Sequence, residues 1–422
     1  MIFFIIALVN SIGINRIIDL FINTISSKRG LLLVHAIFLI VTFLFYSFKY
    51  VHRVYKRKGF ISAIYNLSLK IILPITGIVL IIKLILYQNN NEDFNYNWNY
   101  NIENTSDYSV QRFERDNKIR GMNVYNIGRR RNENNLIKEL LKNNIEWVSV
   151  IPYFYQENEN SKKINTPDSI GKWSRRDSLL IDGIHKLHKK KLYVMIKPHL
   201  WMSSGWRSNI NFKDSTDWNN WFKDYRKNIL HYAKMAELTN SEMFCIGTEL
   251  RSSLVAKPNH WMSLIKEIKA FYKGKLTYAA NWDDSLENTE FWKLLDYVGI
   301  QAYYPLTKKD KPNLEEIKKG WDKHLEKLKL ISEKHNKQIL FTEIGYRTDA
   351  SATSNPWEWG STYERLYKKK SEKTQLLAYQ ALFEKTWNQS WFAGTFPWEW
   401  NSGDFPIYKK PAQNMIAIWY QK

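Results

Sequence analysis

The 422-residue sequence predicts an α/β fold, a (β/α)₈ TIM barrel, preceded by an N-terminal α-helical transmembrane region. Three observations predict this class. Long apolar stretches lie within the first 87 residues, short apolar runs alternate with longer amphipathic ones after residue 117, and a polar or aromatic side chain comes near the end of each short run. We therefore expect membrane-anchoring helices at 1–87, a polar linker at 88–117 and a barrel domain at 118–422.

Two apolar stretches, residues 30–48 and 60–87, are each long enough to cross a bilayer, which takes about 20 apolar residues. Runs of this length disfavour the alternative of core helices in a soluble protein. The basic segment 49–59 between them is predicted as a cytoplasmic loop, which places the rest of the chain outside the membrane. Residues 1–25 are also apolar and could form a third span, an interfacial helix or a signal-like segment. The sequence thus predicts two or three spans and a lipid bilayer as a partner.

Residues 88–117, after the apolar stretches, are Asn-rich without helical or strand periodicity, which is typical of a linker.

The composition of the chain argues against several classes of function. Cys245 is the single cysteine, so no intrachain disulfide can form, and without a Cys pair or an HExxH pattern no metal or other cofactor is expected. The net charge of +21 comes largely from lysines in helix-like segments, which indicates solvated helix faces rather than nucleic-acid binding.

Eight apolar runs in the large domain are typical of buried parallel strands. They cover residues 118–126, 145–154, 191–201, 241–250, 274–282, 296–304, 337–346 and 391–400. Amphipathic helical stretches alternate with them at 134–143, 174–190, 218–238, 258–273, 314–336, 372–386 and 411–420. A doubly wound sheet would gather its polar side chains at one crevice, whereas here they follow every strand, as around the mouth of a barrel.

Two of the predicted strands end on a glutamate. Glu249 and Glu343 are 94 positions apart, which at about 31 residues per βα unit corresponds to strands 4 and 7. The ends of those strands face one another across the barrel mouth. A carboxylate pair placed so can cleave a glycosidic bond, because one group protonates the leaving oxygen while the other attacks the anomeric carbon or activates water. The alternative is that each glutamate pairs with a neighbouring arginine, Arg251 or Arg347, and only ties loops together.

Aromatic residues cluster at the predicted strand ends and in the loops that follow them. The set is Trp201, Trp206, Trp282, Tyr303, Tyr304, Trp357, Trp359, Trp398 and Trp400. A sugar ring packs its C–H face on indole, while Asn, His and Tyr side chains bind its hydroxyl groups. This rim therefore favours a carbohydrate site and catalysis over a purely structural role for the two glutamates.

Five motifs together resemble glycoside hydrolase family 113, over about residues 118–422. They are "CIGTEL", "AANWDD", "VGIQAYYPL", "FTEIGYR" and "GTFPWEWN", in this order. That is a clan A (β/α)₈ family whose characterised members act on β-1,4-mannan by a retaining mechanism. The resemblance implies that Glu249 is the acid/base, that Glu343 is the nucleophile and that Tyr303 hydrogen-bonds the nucleophile. It also implies a sugar-contacting floor at Trp398, with further candidate substrate contacts at His199, Trp201, Asn281, Trp282 and Tyr304.

One position departs from the clan pattern. Most clan A families carry Asn before the acid/base, where it bonds the sugar 2-hydroxyl, and this chain has Thr248. The shorter hydroxyl group of Thr248 would need a neighbour, such as Asn281 or His199, to complete that contact. A retaining enzyme further requires the two carboxyl groups to lie about 5–5.5 Å apart. Glu249 should have the higher pKa of the two, because it must arrive protonated.

The sequence thus predicts a membrane-anchored, extracytoplasmic retaining glycosidase that acts on a β-mannan-like chain. Two alternatives remain open. The substrate could be another β-glycan, because substrate specificity lies in the loops rather than in the fold. The protein could also be a non-catalytic carbohydrate-binding envelope protein, although a binder would not need both glutamates.

Overall fold

A computed structural model describes residues 28–98, 116, 118–283, 286–287, 289–360, 368–401 and 403–422. Its contacts divide the chain into two compact units, Met1–Gln88 and Asn89–Lys422. The possible third span at residues 1–25 lies outside the described residues, as does most of the predicted linker.

The described part of the first unit is helical. Helix α1 (Lys28–Leu67) continues through a π-helical turn (Ser68–Ile72) into α2 (Leu73–Asn90). Gly59 interrupts α1 with a φ of 80° and a ψ of 179°. The Tyr50 hydroxyl donates to Asn66 Oδ1 at 2.8 Å, although the two residues are 16 positions apart and would lie about 24 Å apart in a straight helix. The helix therefore reverses at Gly59 into an antiparallel hairpin.

This hairpin presents its apolar side chains on the outside. By length and composition, Leu31–Asn90 is the one helical segment in the described part of the chain that could cross a membrane. Leu32, Phe38 and Ile61 are 70%, 68% and 83% exposed, respectively. The basic segment 49–59, predicted as a loop, is instead helical as far as Gly59, so only this glycine forms the turn.

The second unit is a closed barrel of eight parallel strands, which confirms the predicted fold class. The strands are β1 (Ile119–Val124), β2 (Trp147–Val150), β4 (Tyr193–Ile196), β6 (Met243–Thr248), β7 (Lys275–Asn281), β8 (Val298–Gln301), β9 (Ile339–Ile344) and β10 (Phe392–Pro397). They are hydrogen-bonded in the order β1-β10-β9-β8-β7-β6-β4-β2, and β2 pairs with β1 to close the barrel.

Two further strands form a small parallel sheet at the mouth of the barrel. They are β3 (Tyr153–Gln156) and β5 (His199–Met202), which directly follow the second and third barrel strands. The sequence predicts one continuous run at each place. Pro152 and Pro198 separate the two pieces, because proline has no N–H to donate to the strand ladder.

Helices surround the barrel: α3 (Glu133–Lys142), α4 (Arg175–Lys189), α5 (Ser215–Leu238), α6 (Arg251–Ala256), α7 (Pro258–Lys269), α8 (Leu314–His335), α9 (Glu372–Thr386) and α10 (Pro411–Gln421). Capping boxes at Ser174 and Asn313 fix the starts of α4 and α8. Between β7 and β8 the described residues contain a 3₁₀ turn, Glu290–Leu294, in place of a full helix.

The interior of the barrel is packed rather than open. Apolar side chains fill its lower part, among them Trp147, Met195, Cys245 and Phe396. A separate buried cluster of Ile151, Tyr303, Trp398 and Phe405 lies among the residues near the C-terminal ends of the strands. Active sites of this fold lie at that end.

The second unit begins with a segment that contacts the barrel. The Glu92 carboxylate accepts hydrogen bonds from the Ser371 hydroxyl at 2.5 Å and from the Glu372 backbone N–H at 2.6 Å. It therefore caps the N-terminus of α9, where a negative charge is favourable. This part of the predicted linker is bound to the barrel.

Candidate active site

A cavity of about 680 Å³ opens at the C-terminal end of the barrel, and both glutamates line it. Its wall is largely aromatic. The aromatic lining residues are Tyr125, Trp201, Trp206, Trp282, Tyr303, Trp357, Trp359, Trp398 and Phe405. Trp282 and Trp357 pack together with ring centroids 5.4 Å apart, and Trp359 contacts Phe405 at 5.4 Å. This combination of apolar faces and a few polar groups is typical of a small-molecule or sugar site.

Glu343 lies in β9 and is held by side chains from other strand ends, Lys197 after β4, His199 in β5 and Tyr303 after β8. Lys197 Nζ donates to Glu343 Oε1 at 2.6 Å, and the Tyr303 hydroxyl donates to Oε2 at 3.0 Å. His199 Nε2 lies 3.3 Å from Oε1. Burial by itself would raise the pKa of Glu343, but the Lys197 charge and the His199 ring hold it well below the usual range. Glu343 is therefore ionised at neutral pH.

Trp398, which follows β10, supports these groups from one side. The His199 ring stacks on Trp398 with centroids 5.8 Å apart and planes 3° apart, and Lys197 Nζ lies 5.1 Å from the Trp398 ring centroid. Burial lowers the pKa of His199 to about 4, against the opposing effect of Glu343. His199 is thus neutral at pH 7. Lys197 supplies the positive charge beside Glu343: burial lowers the pKa of Lys197, and its direct contact with the Glu343 carboxylate at 2.6 Å opposes that effect.

Glu249 is the first residue after β6 and has a different environment. Arg207 Nε lies 3.4 Å from Glu249 Oε2, and Asn281 Nδ2 donates to Oε1 at 3.5 Å. Burial raises the pKa of Glu249 to about 7, although Arg207 opposes the shift. At neutral pH the cavity therefore holds one ionised carboxylate and one carboxyl group that is substantially protonated. Two carboxyl groups with separated pKa values can divide the roles of base and acid.

The alternative pairing with neighbouring arginines does not form. Arg251 pairs with Asp283 at 2.8 Å, and Arg347 pairs with Asp349 at 2.6 Å. Neither glutamate is therefore a loop-tying partner of the arginine that follows it in the sequence.

The structure brings most of the predicted site residues together. Those that line the cavity are His199, Trp201, Glu249, Asn281, Trp282, Tyr303, Glu343 and Trp398. Two predicted contacts do not line it. Tyr304 is buried among core apolar side chains outside the cavity and packs against His324, with ring centroids 4.4 Å apart. Thr248 is 2% exposed and does not line the cavity, and a register shift between Cys245 and Thr248 interrupts the regular alternation of side chains at the end of β6.

Other residues of the site were not predicted. Lys197 ends an apolar strand with a charge, which is the same signal that identified the two glutamates, so it could have been found. Tyr125 and Asp283 also line the cavity and lie just beyond the ends of β1 and β7, so the strand-end signal covered them as well. Arg207 lines the cavity from a loop, where the sequence carries no such signal. No group of three or more His, Cys, Asp or Glu side chains that could hold a metal ion occurs among the described residues.

A (β/α)₈ barrel with two carboxyl groups of separated pKa in an aromatic cavity defines a glycosidase-type site. The model of glycoside hydrolase family 113 matches residues 128–422. The chain belongs to this family.

Solved structures are similar over the same region. A family 113 β-1,4-mannanase is 25% identical, with a TM-score of 0.62, over 72% of this chain and 99% of that one. The β-mannanase of Alicyclobacillus acidocaldarius in complex with ManMIm is 24% identical, with a TM-score of 0.62, over 72% and 97% of the two chains. A Ruminococcus gnavus β-glucuronidase shares the fold at 11% identity and a TM-score of 0.51, over 72% of this chain and 50% of that one. Comparison with curated protein sequences finds no match.

Proposed function

We propose that this glycosidase cleaves β-1,4-linked mannan-type chains outside the membrane with retention of anomeric configuration. The observation that carries the proposal is the unequal protonation of Glu249 and Glu343 within one cavity. The pKa of Glu249 is raised to about 7, whereas that of Glu343 is held well below its usual range. This is the distribution of protons that a general acid and a nucleophile need at the start of the reaction.

In the first step, the ionised Glu343 carboxylate attacks the anomeric carbon while Glu249 gives its proton to the glycosidic oxygen. The bond between that carbon and that oxygen breaks, and the leaving sugar departs with the proton. The remaining sugar is bound covalently to Glu343. In the second step, the now ionised Glu249 takes a proton from water, the resulting hydroxide displaces Glu343, and both carboxyl groups return to their starting states.

The groups around Glu343 suit the role of a nucleophile. Lys197 and Tyr303 each bind one of its two oxygens, which fixes the plane of the carboxylate. The positive charge of Lys197 keeps the carboxylate ionised in a buried site. Trp398 offers an indole ring to the sugar at the cleavage point, which is the position that the family resemblance implies for it.

The substrate assignment rests on the family and on the cavity. The solved family 113 structures that this chain resembles are β-mannanases, one of them 25% identical. Trp201 lies in β5 and Trp206 in the loop after it, Trp357 and Trp359 lie on another loop, and all four are about 40–50% exposed. Exposed indoles are suited to binding successive sugar rings of a chain.

The proposed location rests on the helical hairpin. Its apolar faces are exposed, and the residues just before the Gly59 turn are basic, with Lys56, Arg57 and Lys58 adjacent. Basic turns stay in the cytoplasm, so an inserted hairpin would leave the barrel on the opposite side.

The test is hydrolysis of β-1,4-manno-oligosaccharides by the full-length chain in detergent, beside its Glu343→Gln variant. The expected result is turnover by the wild type, loss of turnover in the variant, and retained oligosaccharide binding by both. If neither cleaves but both bind, the chain is a carbohydrate-binding protein rather than an enzyme. If neither binds, the mannan assignment is wrong.

A further inference from the structure

We propose that Arg207 and Ser208, in the turn after β5, are positioning residues for Glu249, one acting on its carboxylate and the other on its backbone. The inference rests on the proposed role of Glu249 as acid/base. It concerns a turn that neither the sequence motifs nor the family resemblance singled out.

The backbone of Glu249 is held in an unusual conformation. Its φ is 54°, in the left-handed region, which a non-glycine residue keeps only where the surroundings fix it. Its N–H donates to the Ala279 carbonyl at 2.9 Å. Its carbonyl oxygen accepts from the Ser208 hydroxyl at 2.7 Å. Both backbone polar groups of Glu249 are thus tied, one to β7 and one to the turn.

Ser208 is itself fixed. It is 1% exposed and lies in a 3₁₀ turn, Arg207–Asn209. The Ser252 hydroxyl donates to the Ser208 carbonyl at 2.7 Å, and Ser208 Oγ is 3.2 Å from Asn281 Oδ1. The turn therefore connects the segment after Glu249 with the side-chain amide that contacts its carboxylate.

Arg207 reaches the carboxylate from the same turn. Its Nε lies 3.4 Å from Glu249 Oε2, its Nη1 donates to the Leu200 carbonyl at 3.2 Å, and its guanidinium carbon is 5.1 Å from the Trp206 ring centroid. Because two contacts do not involve Glu249, the guanidinium stays in place when Glu249 gains or loses its proton. Arg207 is then a fixed positive charge against which the carboxyl group titrates.

The other charged and titratable groups near Glu249 already have partners or are neutral. Lys197 is paired with Glu343 at 2.6 Å, and Asp283 with Arg251 at 2.8 Å. Tyr278 and Tyr303 are buried phenols whose pKa values burial raises well above the usual range. Arg207 thus contacts the Glu249 carboxylate directly, while Glu343, Lys197 and Asp283 act on its pKa through space, Glu343 and Asp283 raising it and Lys197 lowering it.

The first test compares Arg207→Met with Arg207→Lys in the full-length protein, using the pH profile of kcat/KM on manno-oligosaccharides. The basic limb reports the loss of the Glu249 proton. Removing the positive charge should move this limb upward by about one unit or more, whereas Arg207→Lys should leave it near the wild-type position. If the basic limb of the kcat/KM profile lies at the same pH in Arg207→Met as in the wild type, and only the activity is lower, Arg207 has a purely structural role.

The second test concerns Ser208. Ser208→Ala should lower kcat by about tenfold or more without moving the basic limb, because it frees the Glu249 backbone but removes no charge. Ser204→Ala, in the exposed part of the same loop, is the matched control and should behave as the wild type. A Ser208→Ala variant with wild-type kcat, or one with a shifted limb, would overturn the assignment.

A readout without turnover separates this inference from the proposed function. The Glu249 carboxyl group can be titrated by carbon-13 NMR in protein labelled at glutamate carboxyl carbons, with Glu249→Gln to assign its signal. An upward shift in Arg207→Met but not in Arg207→Lys supports the Arg207 role even if no substrate is cleaved. Equal titration midpoints in the wild type and Arg207→Met would contradict it.

Discussion

Each of the two cavity carboxyl groups lies beside one positively charged side chain. Burial raises the pKa of a carboxyl group and the positive charge lowers it, and the balance between the two differs at Glu343 and Glu249. Lys197 is fully buried and donates directly to Glu343 at 2.6 Å, so its charge outweighs the cost of burying the carboxylate. Arg207 is partly exposed and lies 3.4 Å from Glu249, so burial raises the pKa of Glu249 by more than the Arg207 charge lowers it. A similar pairing thus leaves Glu343 ionised and Glu249 with a pKa raised to about 7, as the proposed nucleophile and acid require.

Replacing Lys197 tests the charge balance at Glu343. Lys197→Met removes the positive charge, so the pKa of Glu343 should rise from its depressed value. The proposed nucleophile must be ionised, and the acid limb of the kcat/KM profile should therefore move to higher pH, with activity at neutral pH reduced roughly 100-fold or more.

The measurement is the pH profile of hydrolysis, with surface Lys190→Met as the control. Lys190→Met should match the wild type throughout. An unchanged acid limb in Lys197→Met would show that another group keeps Glu343 ionised.

At the scale of elements, barrel closure depends on a close approach between β1 and β10. Gly394 has a φ of 130°, and a Cβ there would lie 2.2 Å from the Ile119 carbonyl oxygen. Gly394→Ala should therefore lower the free energy of unfolding by about 2–3 kcal/mol, because it adds both backbone strain and a clash.

Urea unfolding of the full-length protein in detergent measures this effect. Gly403→Ala is a suitable control, because a Cβ there would meet no atom within 4 Å and the residue has no positive φ. Equal unfolding free energies for the two variants would mean that β1 and β10 can separate without cost.

The strands and helices of the barrel were largely predictable from the sequence. Each of the eight predicted apolar runs contains a barrel strand, and α9 has the predicted bounds of 372–386. The misses have local physical causes. Pro152 and Pro198 end β2 and β4 early and begin the small β3–β5 sheet, and a proline within an apolar run was a signal that the prediction did not use.

The candidate site was predictable only where a charge ends an apolar strand. Glu249 and Glu343 were found in this way, and Lys197 could have been. Arg207 lies in a loop that brings it to the site, and the periodicity of apolar residues in the sequence does not predict the path of a loop. Tyr304 follows Tyr303 directly and was assigned to the same wall, but adjacent residues at a strand end point in opposite directions.

At the scale of the whole molecule, the chain combines an apolar hairpin with a barrel unit that begins at Asn89. A chain starting at Asn89 keeps the Glu92 carboxylate that caps α9, whereas one starting after the linker loses it. The full-length chain should stay with membranes through carbonate extraction, and the chain starting at Asn89 should be soluble with unchanged activity per molecule.

Membrane fractionation followed by activity measurement on both fractions tests this division. Release of the full-length chain by carbonate would contradict a membrane-embedded hairpin. Loss of activity in a folded, soluble chain starting at Asn89 would show that the hairpin contributes to the barrel beyond anchoring it.

The stereochemistry of cleavage tests most directly whether Glu249 and Glu343 act as acid/base and nucleophile. Proton NMR can follow the anomeric signals of the reducing sugar during the first minutes of manno-oligosaccharide hydrolysis. We predict that the β-anomer appears first and that the α-anomer grows in later by mutarotation, because a covalent sugar on Glu343 requires two inversions. If the α-anomer appears first, the reaction inverts the configuration and Glu343 is not a nucleophile.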